Sequence, residues 1–258
     1  METLDTIEAE LAFALELADA ADAVALPRFR AGDLVVERKP DLTPVTDADR
    51  ATERALIEIL ADERSSHGVL GEEFGISGEG RWQWILDPID GTMNFVRGIP
   101  VWATLIALVH DGDPILGVVS APSLHRRWWA GRGLGAFMNG EPISISGVEY
   151  IEDAQVSLGA EGELAQAGWG AGTAALNSRA WRVRGFGDFW SHMLVAEGAA
   201  DIALDAGVKA WDMAAVLPIV EESGGRFTDL GGRRDYTSGS GLSTNGLLHD
   251  EVVSLFRR

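Results

Sequence analysis

Apolar residues recur at Ile7, Leu11, Leu15, Ala18 and Ala25 with acids between them, a spacing that predicts a helix over residues 6–29. Pro40 and Pro44 bound a loop, and Thr46 opens a second helix over 46–60. Asp49, three residues after Thr46, forms a capping arrangement, although Glu or Gln is the usual partner. A short strand at 69–70 ends in Gly71-Glu72-Glu73, and the aromatic and aliphatic run 82–86 predicts a buried strand. Two further β runs, 101–109 and 115–120, flank Asp111-Gly112-Asp113-Pro114, which reads as a hairpin turn. Runs 127–130 and 143–145 add strands around Asn139-Gly140.

The second half alternates differently. Strands are predicted near 155–158, 181–183, 201–204, 226–229 and 243–245, and helices near 161–176, 189–199 and 212–222. Gly224-Gly225 stops the last of these helices, a Gly/Ser-rich loop spans 231–241, and a short terminal helix completes the chain. The change in pattern predicts an N-terminal α+β lobe, 1–150, and a C-terminal α/β lobe, 151–258, sharing one site.

Composition narrows the function. The chain has 258 residues, 46% of them hydrophobic, as in an ordinary globular protein. With 40 acidic against 21 basic residues the net charge is −19, which argues against nucleic-acid binding. An acidic protein that handles phosphate needs cations at its site. No cysteine is present, so thiol and disulfide chemistry are excluded. Glu2, Asp5, Glu8 and Glu10 oppose a signal peptide's basic start, and the most apolar run, 101–109, is only strand length. A cytoplasmic protein without a membrane partner is expected.

The chemistry concentrates in DPIDGTMNF, residues 87–95. Asp87 and Asp90 stand where a predicted strand ends, Pro88 biases Asp87 toward an extended shape, and Gly91 permits a tight turn. Two hard oxygen ligands plus the Thr92 hydroxyl suit Mg²⁺ and phosphate better than zinc. Asp-Pro and Asp-Gly are also common turn signals, so the run alone reads equally as a capped loop. Glu72 and Glu73 end another strand, and Asp212 opens a helix, where by itself it reads as an N-cap. Four carboxylates brought together require divalent cations between them. GRGLGA at 131–136 matches a dinucleotide fingerprint, but turn residues follow where a helix is required. His67, His110, His125, His192 and His249 show no zinc spacing, and no Gly-x-Ser-x-Gly elbow occurs. The tryptophans, Trp102, Trp128, Trp129, Trp181 and Trp190 among them, are expected in the core.

GEE at 71–73, DPIDGT at 87–92 and WDMAA at 211–215, in this order and spacing, resemble the inositol monophosphatase family of Mg²⁺-dependent, lithium-sensitive phosphatases. The resemblance runs over about residues 5–255. It implies an α/β fold, the layered α-β-α-β-α sandwich of the inositol monophosphatase and fructose-1,6-bisphosphatase type, assembled as a homodimer. It implies two or three Mg²⁺ ions held by Glu72, Asp87, the Ile89 carbonyl, Asp90 and Asp212. Gly91 and Thr92 resemble the phosphate-contacting turn. DLTPVTDAD at 41–49 resembles an upstream segment in which Asp47 pairs with Thr92 to orient the attacking water. Met93 departs from the family's usual Thr, Lys or Ser and is expected to alter the pocket lining.

The family's Gly-Ser-Ala element and later glutamate, which hold inositol hydroxyls, are matched here by Gly187-Asp188-Phe189 and Asp205. With NFVRGIPVWATLIAL at 94–108, this departure resembles the histidinol-phosphate phosphatase branch and implies histidinol phosphate, of histidine biosynthesis, as substrate. A carboxylate suits that substrate's ammonium and imidazole, while Asp188 also reads as an N-cap. Inositol-1-phosphate hydrolysis, bisphosphate hydrolysis and non-catalytic metal or partner binding are the rival readings.

Overall fold

A computed structural model describes residues 4–40, 42–78 and 80–257, so Glu2 and Asp41 lie outside the described residues. Helix α1 (Leu4–Ala25) buries Ile7, Leu11, Leu17 and Ala18 and tightens into a 3₁₀ turn, Leu26–Arg28, where Pro27 falls. The ribbon β1 (Val36–Arg38) and β2 (Pro44–Thr46) leads into α2 (Asp47–Glu63). The Thr46 hydroxyl accepts from the Asp49 amide while the Asp49 carboxylate accepts from the Thr46 amide. This capping box stabilises the helix start by about 1 kcal/mol.

Strands β3 (Gly68–Gly71), β4 (Gly75–Ser77) and β5 (Trp82–Asp90) precede a one-turn helix, α3 (Thr92–Val96). Then come β6 (Ala103–His110), β7 (Asp113–Ala121), β8 (Arg126–Gly131), β9 (Gly135–Met138) and β10 (Glu141–Pro142). They form an eight-stranded sheet ordered β10-β9-β8-β7-β6-β5-β3-β4. Side chains alternate across it: Trp84, Leu86, Ile106 and Leu108 pack under α1 and α2, whereas Ile85, Leu105 and Ala107 face the other way. The β6–β7 turn forms at Asp111-Gly112, both with positive φ, as a two-residue hairpin requires. The 131–136 glycine run closes the β8–β9 hairpin, and the Gly133 and Gly135 amides donate to the Glu222 carboxylate.

The remaining elements are β11 (Gln155–Leu158), α4 (Glu161–Gln166), α5 (Gly170–Arg179), β12 (Arg182–Arg184), α6 (Asp188–Ala196) and β13 (Ile202–Ala206). They are followed by α7 (Ala210–Ala214), α8 (Val216–Glu222), β14 (Arg226–Thr228), β15 (Ser240–Thr244) and α9 (His249–Phe256). The second sheet is ordered β12-β11-β13-β15-β14. Between the sheets, α6, α7 and α8 place Met193, Met213, Val216 and Ile219 against Ile85, Leu105 and Phe227 in one core. On the outer face α4, α5 and α9 contribute Leu164, Leu176 and Val252 to another. The layers are therefore α-β-α-β-α, as expected.

The structure departs from the sequence expectation at several places. Strand β5 runs through the motif to Asp90 instead of stopping at Leu86; pairing with β6 is interrupted between Asp87 and Asp90, where Pro88 has no N–H to give. Residues 143–145 are irregular, with the Ile143 and Ile145 amides donating to Ala136 and Ser223. The 161–176 helix breaks at Gly168, whose φ is positive, and the 212–222 helix starts at Ala210 and breaks at Ala215. Trp181 is 65% exposed, unlike the fully buried Trp102 and Trp128.

Candidate active site

The end of β5 builds the floor of the site. Asp87 is buried, and its Oδ1 accepts from the Ile89 amide at 3.0 Å. The Thr104 hydroxyl donates to the Pro88 carbonyl at 2.8 Å and pins the kinked strand against β6. Asp90 Oδ2 accepts from the Phe189 amide at 2.7 Å, so it ties the motif to the start of α6. Gly91 has φ 82°, and a Cβ there would sit 2.9 Å from the Val101 carbonyl oxygen, so only glycine closes this turn. Asp212 reaches the same place from α7, its Oδ2 accepting from the Lys209 amide at 2.6 Å.

Asp87, Asp90 and Asp212 each present an oxygen within 4.8 Å of the others. Removal from water and mutual repulsion push Asp87 and Asp90 well above the ordinary carboxylate range, and Asp212 is raised as well. Such a hard, oxygen-only, electron-rich donor set fits a divalent cation such as Mg²⁺. Glu72 stands beside them but turns its carboxylate to Lys39, 2.7 Å away, and Lys39 also meets Glu73 at 2.5 Å. Burial works against the lysine charge, yet the two carboxylates outweigh it and hold the ammonium firmly protonated. Lys39 and Lys209 share with Glu72, Gly91, Thr92, Met93 and Asp212 the lining of a cleft of about 480 Å³. They place two positive charges in an otherwise acidic cleft. The only sequence signal for Lys39 was its place just before the 41–49 run.

Asp47 is not the partner of Thr92. The Thr92 hydroxyl lies 3.0 Å from the Ile89 carbonyl oxygen and 3.2 Å from Asp49 Oδ1. Asp47 faces the other way, binding Arg28 at 2.7 Å and the Val35 amide at 3.2 Å. Residues two apart on a helix point roughly 200° from one another, so the first and third residues of α2 cannot share a target. Burial raises Asp49 to about 6, against the hydrogen bonds from Thr46.

A second cavity of about 330 Å³ opens from the carboxylate cluster between α6, α4 and the end of β13. Asp90, Glu163, Gly187, Asp188, Asp205 and Asp212 line it, and among the described residues no Lys, Arg or His does. Asp188 does not cap α6 with its side chain; it accepts from Asn94 Nδ2 at 2.8 Å. Removal from water, then the charges of Asp205 and Asp212, lift it to about 6. Asp205 Oδ2 lies 3.0 Å from Nε2 of the fully buried His192. Neither Glu163 nor His192 was legible as a site residue, because neither falls in a motif.

The end of β5 and the start of α7 thus bring three carboxylates together in a five-layer fold. The model of the inositol monophosphatase family matches residues 7–258, and the chain belongs to this family. Over 252 residues it is 52% identical to the histidinol-phosphatase of Mycobacterium tuberculosis, covering 95% of this chain and 96% of the relative. It is 45% identical to the histidinol-phosphatase of Streptomyces coelicolor, covering 95% of each. Among solved structures, an inositol monophosphatase from Zymomonas mobilis superimposes with a TM-score of 0.87 at 31% identity, covering 99% of both chains. The chain is thus a phosphatase that hydrolyses phosphomonoesters, from a metal-dependent family. Asp87, Asp90 and Asp212 form a group able to hold metal ions. No described helix is long and apolar enough to cross a membrane.

Proposed function

We propose that the chain is a Mg²⁺-dependent histidinol-phosphate phosphatase, converting histidinol phosphate and water to histidinol and phosphate. The observation that carries the reading is the second cavity, whose lining offers Glu163, Asp188 and Asp205 and, among the described residues, no cation. An alcohol bearing an ammonium and an imidazole suits such a wall, and a polyhydroxylated neutral ring gains less from it. The similarity to two proteins named histidinol-phosphatase supports the same substrate.

Glu72, Asp87, the Ile89 carbonyl, Asp90 and Asp212 would hold the ions. When bound, Mg²⁺ neutralises phosphate charge and lowers the pKa of a coordinated water. Thr92, its hydroxyl held by Asp49, would accept a hydrogen bond from the attacking water and hold it in line with the ester bond. The water oxygen bonds to phosphorus as the ester P–O bond breaks; one water proton ends on the departing alcohol oxygen and the other stays on the phosphate, so the alcohol leaves as a neutral hydroxyl on the side of Asp188 and Asp205. Gly91 and Thr92 open α3, whose first amides would be available to the phosphate oxygens. Lys39 and Lys209 add positive charge on that side.

Phosphate release with Mg²⁺ over a panel of histidinol phosphate, inositol-1-phosphate, glycerol phosphate and sugar bisphosphates tests the reading. The expected result is a clear preference for histidinol phosphate. Preference for inositol phosphate or a bisphosphate would overturn the substrate and leave the phosphatase intact.

A further inference from the structure

We infer that His192 is a positioning residue for the leaving-group end of the cleft, aiming the Asp205 carboxylate at the substrate; the inference rests on the substrate reading above. Asp205 stands near the end of β13 on the face shared with Ala203, toward α6. Its Oδ2 is held by His192 Nε2 at 3.0 Å, and His192 Nδ1 lies 2.7 Å from Ser243 Oγ. Ser243 sits on β15 directly opposite Ala203, so the ring is gripped between two neighbouring strands. A carboxylate oxygen accepts, so the hydrogen is assigned to Nε2, leaving Nδ1 to meet the Ser243 hydroxyl. The other carboxylate oxygen, Oδ1, is thereby turned over Gly159. A Cβ on Gly159 would lie 1.5 Å from it, so glycine at that position makes room for this one orientation.

Asp188 and His192 are four residues apart on α6 and share a face. One helix therefore brings the first carboxylate into the cavity and steers the second. A buried histidine with both nitrogens satisfied is commonly only structural, and the same fold supplies that case. His249 lies 2.9 Å from the Thr244 hydroxyl and 3.0 Å from that of Thr228, and neither threonine lines the cavity. His192 differs because its partner is a cavity-lining carboxylate.

The test compares His192→Phe, which keeps a ring but removes both nitrogens, with His192→Gln, which retains a donor near Nε2. KM and kcat are measured with Mg²⁺ for histidinol phosphate and for glycerol phosphate. His192→Phe should raise KM for histidinol phosphate on the order of 10-fold, with a smaller change for glycerol phosphate, since an Asp205 free to rotate loses its aim. His192→Gln should recover most of the loss, and adding His192→Phe to Asp205→Asn should do no further harm to KM. Equal losses on both substrates, or additive effects with Asp205→Asn, would overturn the inference alone. If His192→Phe does not fold, Ser243→Ala carries the test: a KM rise confined to histidinol phosphate supports the role, and unchanged selectivity overturns it. A wild type that shows no preference for histidinol phosphate overturns the substrate reading and this inference with it.

Discussion

The two walls of the cleft are both acidic, but they handle their charge in opposite ways. On the metal side, Asp87, Asp90 and Asp212 crowd together, their proton affinities raised, with Lys39 and Lys209 nearby. On the wall proposed to meet the leaving group, Asp188 and Asp205 are each anchored through one oxygen, by Asn94 and by His192. The first arrangement keeps several oxygens pointed at one small volume, as a divalent ion needs. The second fixes single carboxylates in direction, as recognition of a shaped organic cation needs. Charge repulsion is stored in the first wall and orientation in the second.

The comparison breaks most severely at Asp90. Asp90→Asn keeps the shape and removes one charge, and Mg²⁺-dependent turnover should fall on the order of 10³-fold. Thermal melting of the metal-free variant should be unchanged or improved, because repulsion falls. Near-normal phosphate release at saturating Mg²⁺ would remove Asp90 from the chemistry.

Next comes the support of Thr92. Asp49→Asn should lower kcat by about 10²-fold, the cost of misplacing the attacking water, while Asp47→Asn leaves kcat nearly intact. Steady-state rates of the two variants side by side decide it, and the reverse ranking would restore Asp47.

On the other wall, Asp188→Asn should lower kcat/KM for histidinol phosphate by about 10–100-fold while glycerol phosphate is little affected. Parallel losses on both substrates would make Asp188 a structural residue instead.

A last comparison, in stability and not in rate, separates both walls from the rest of the fold by its pH dependence. His249 is buried and its pKa is pushed down to about 4, so the unfolded chain takes up a proton near 6.5 that the folded chain refuses. Its contribution is therefore full above pH 6.5 and is lost as pH falls toward 4, by about 3 kcal/mol. Asp188, raised to about 6, has the opposite sign: the folded form holds its proton longer, so its penalty vanishes as pH falls through the same window. Denaturant titrations of the metal-free protein between pH 4 and 7 should show His249→Gln losing less stability toward acid than the wild type, and Asp188→Asn losing more. Parallel profiles for all three would discard both assignments.

Much of the metal-side wall was legible because its chemistry is short-range. Asp87, Pro88, Asp90, Gly91 and Thr92 lie within one strand–turn–helix segment, whose backbone is set by neighbouring residues. The capping box at Thr46 and Asp49 and the Asp111-Gly112 turn are local in the same sense. Tertiary structure decided the rest. Strand β5 could pass through Pro88 only because β6 resumes pairing at Asp90. Whether Asp47 or Asp49 met Thr92 depended on how α2 is rotated against α3, which no spacing reveals when both candidates lie in one turn. Lys39 and Glu72 meet across 33 positions. Asp205 acquired a direction only when α6 laid His192 between β13 and β15, because a hydrogen bond between distant elements is fixed by their packing and leaves no pattern along the chain.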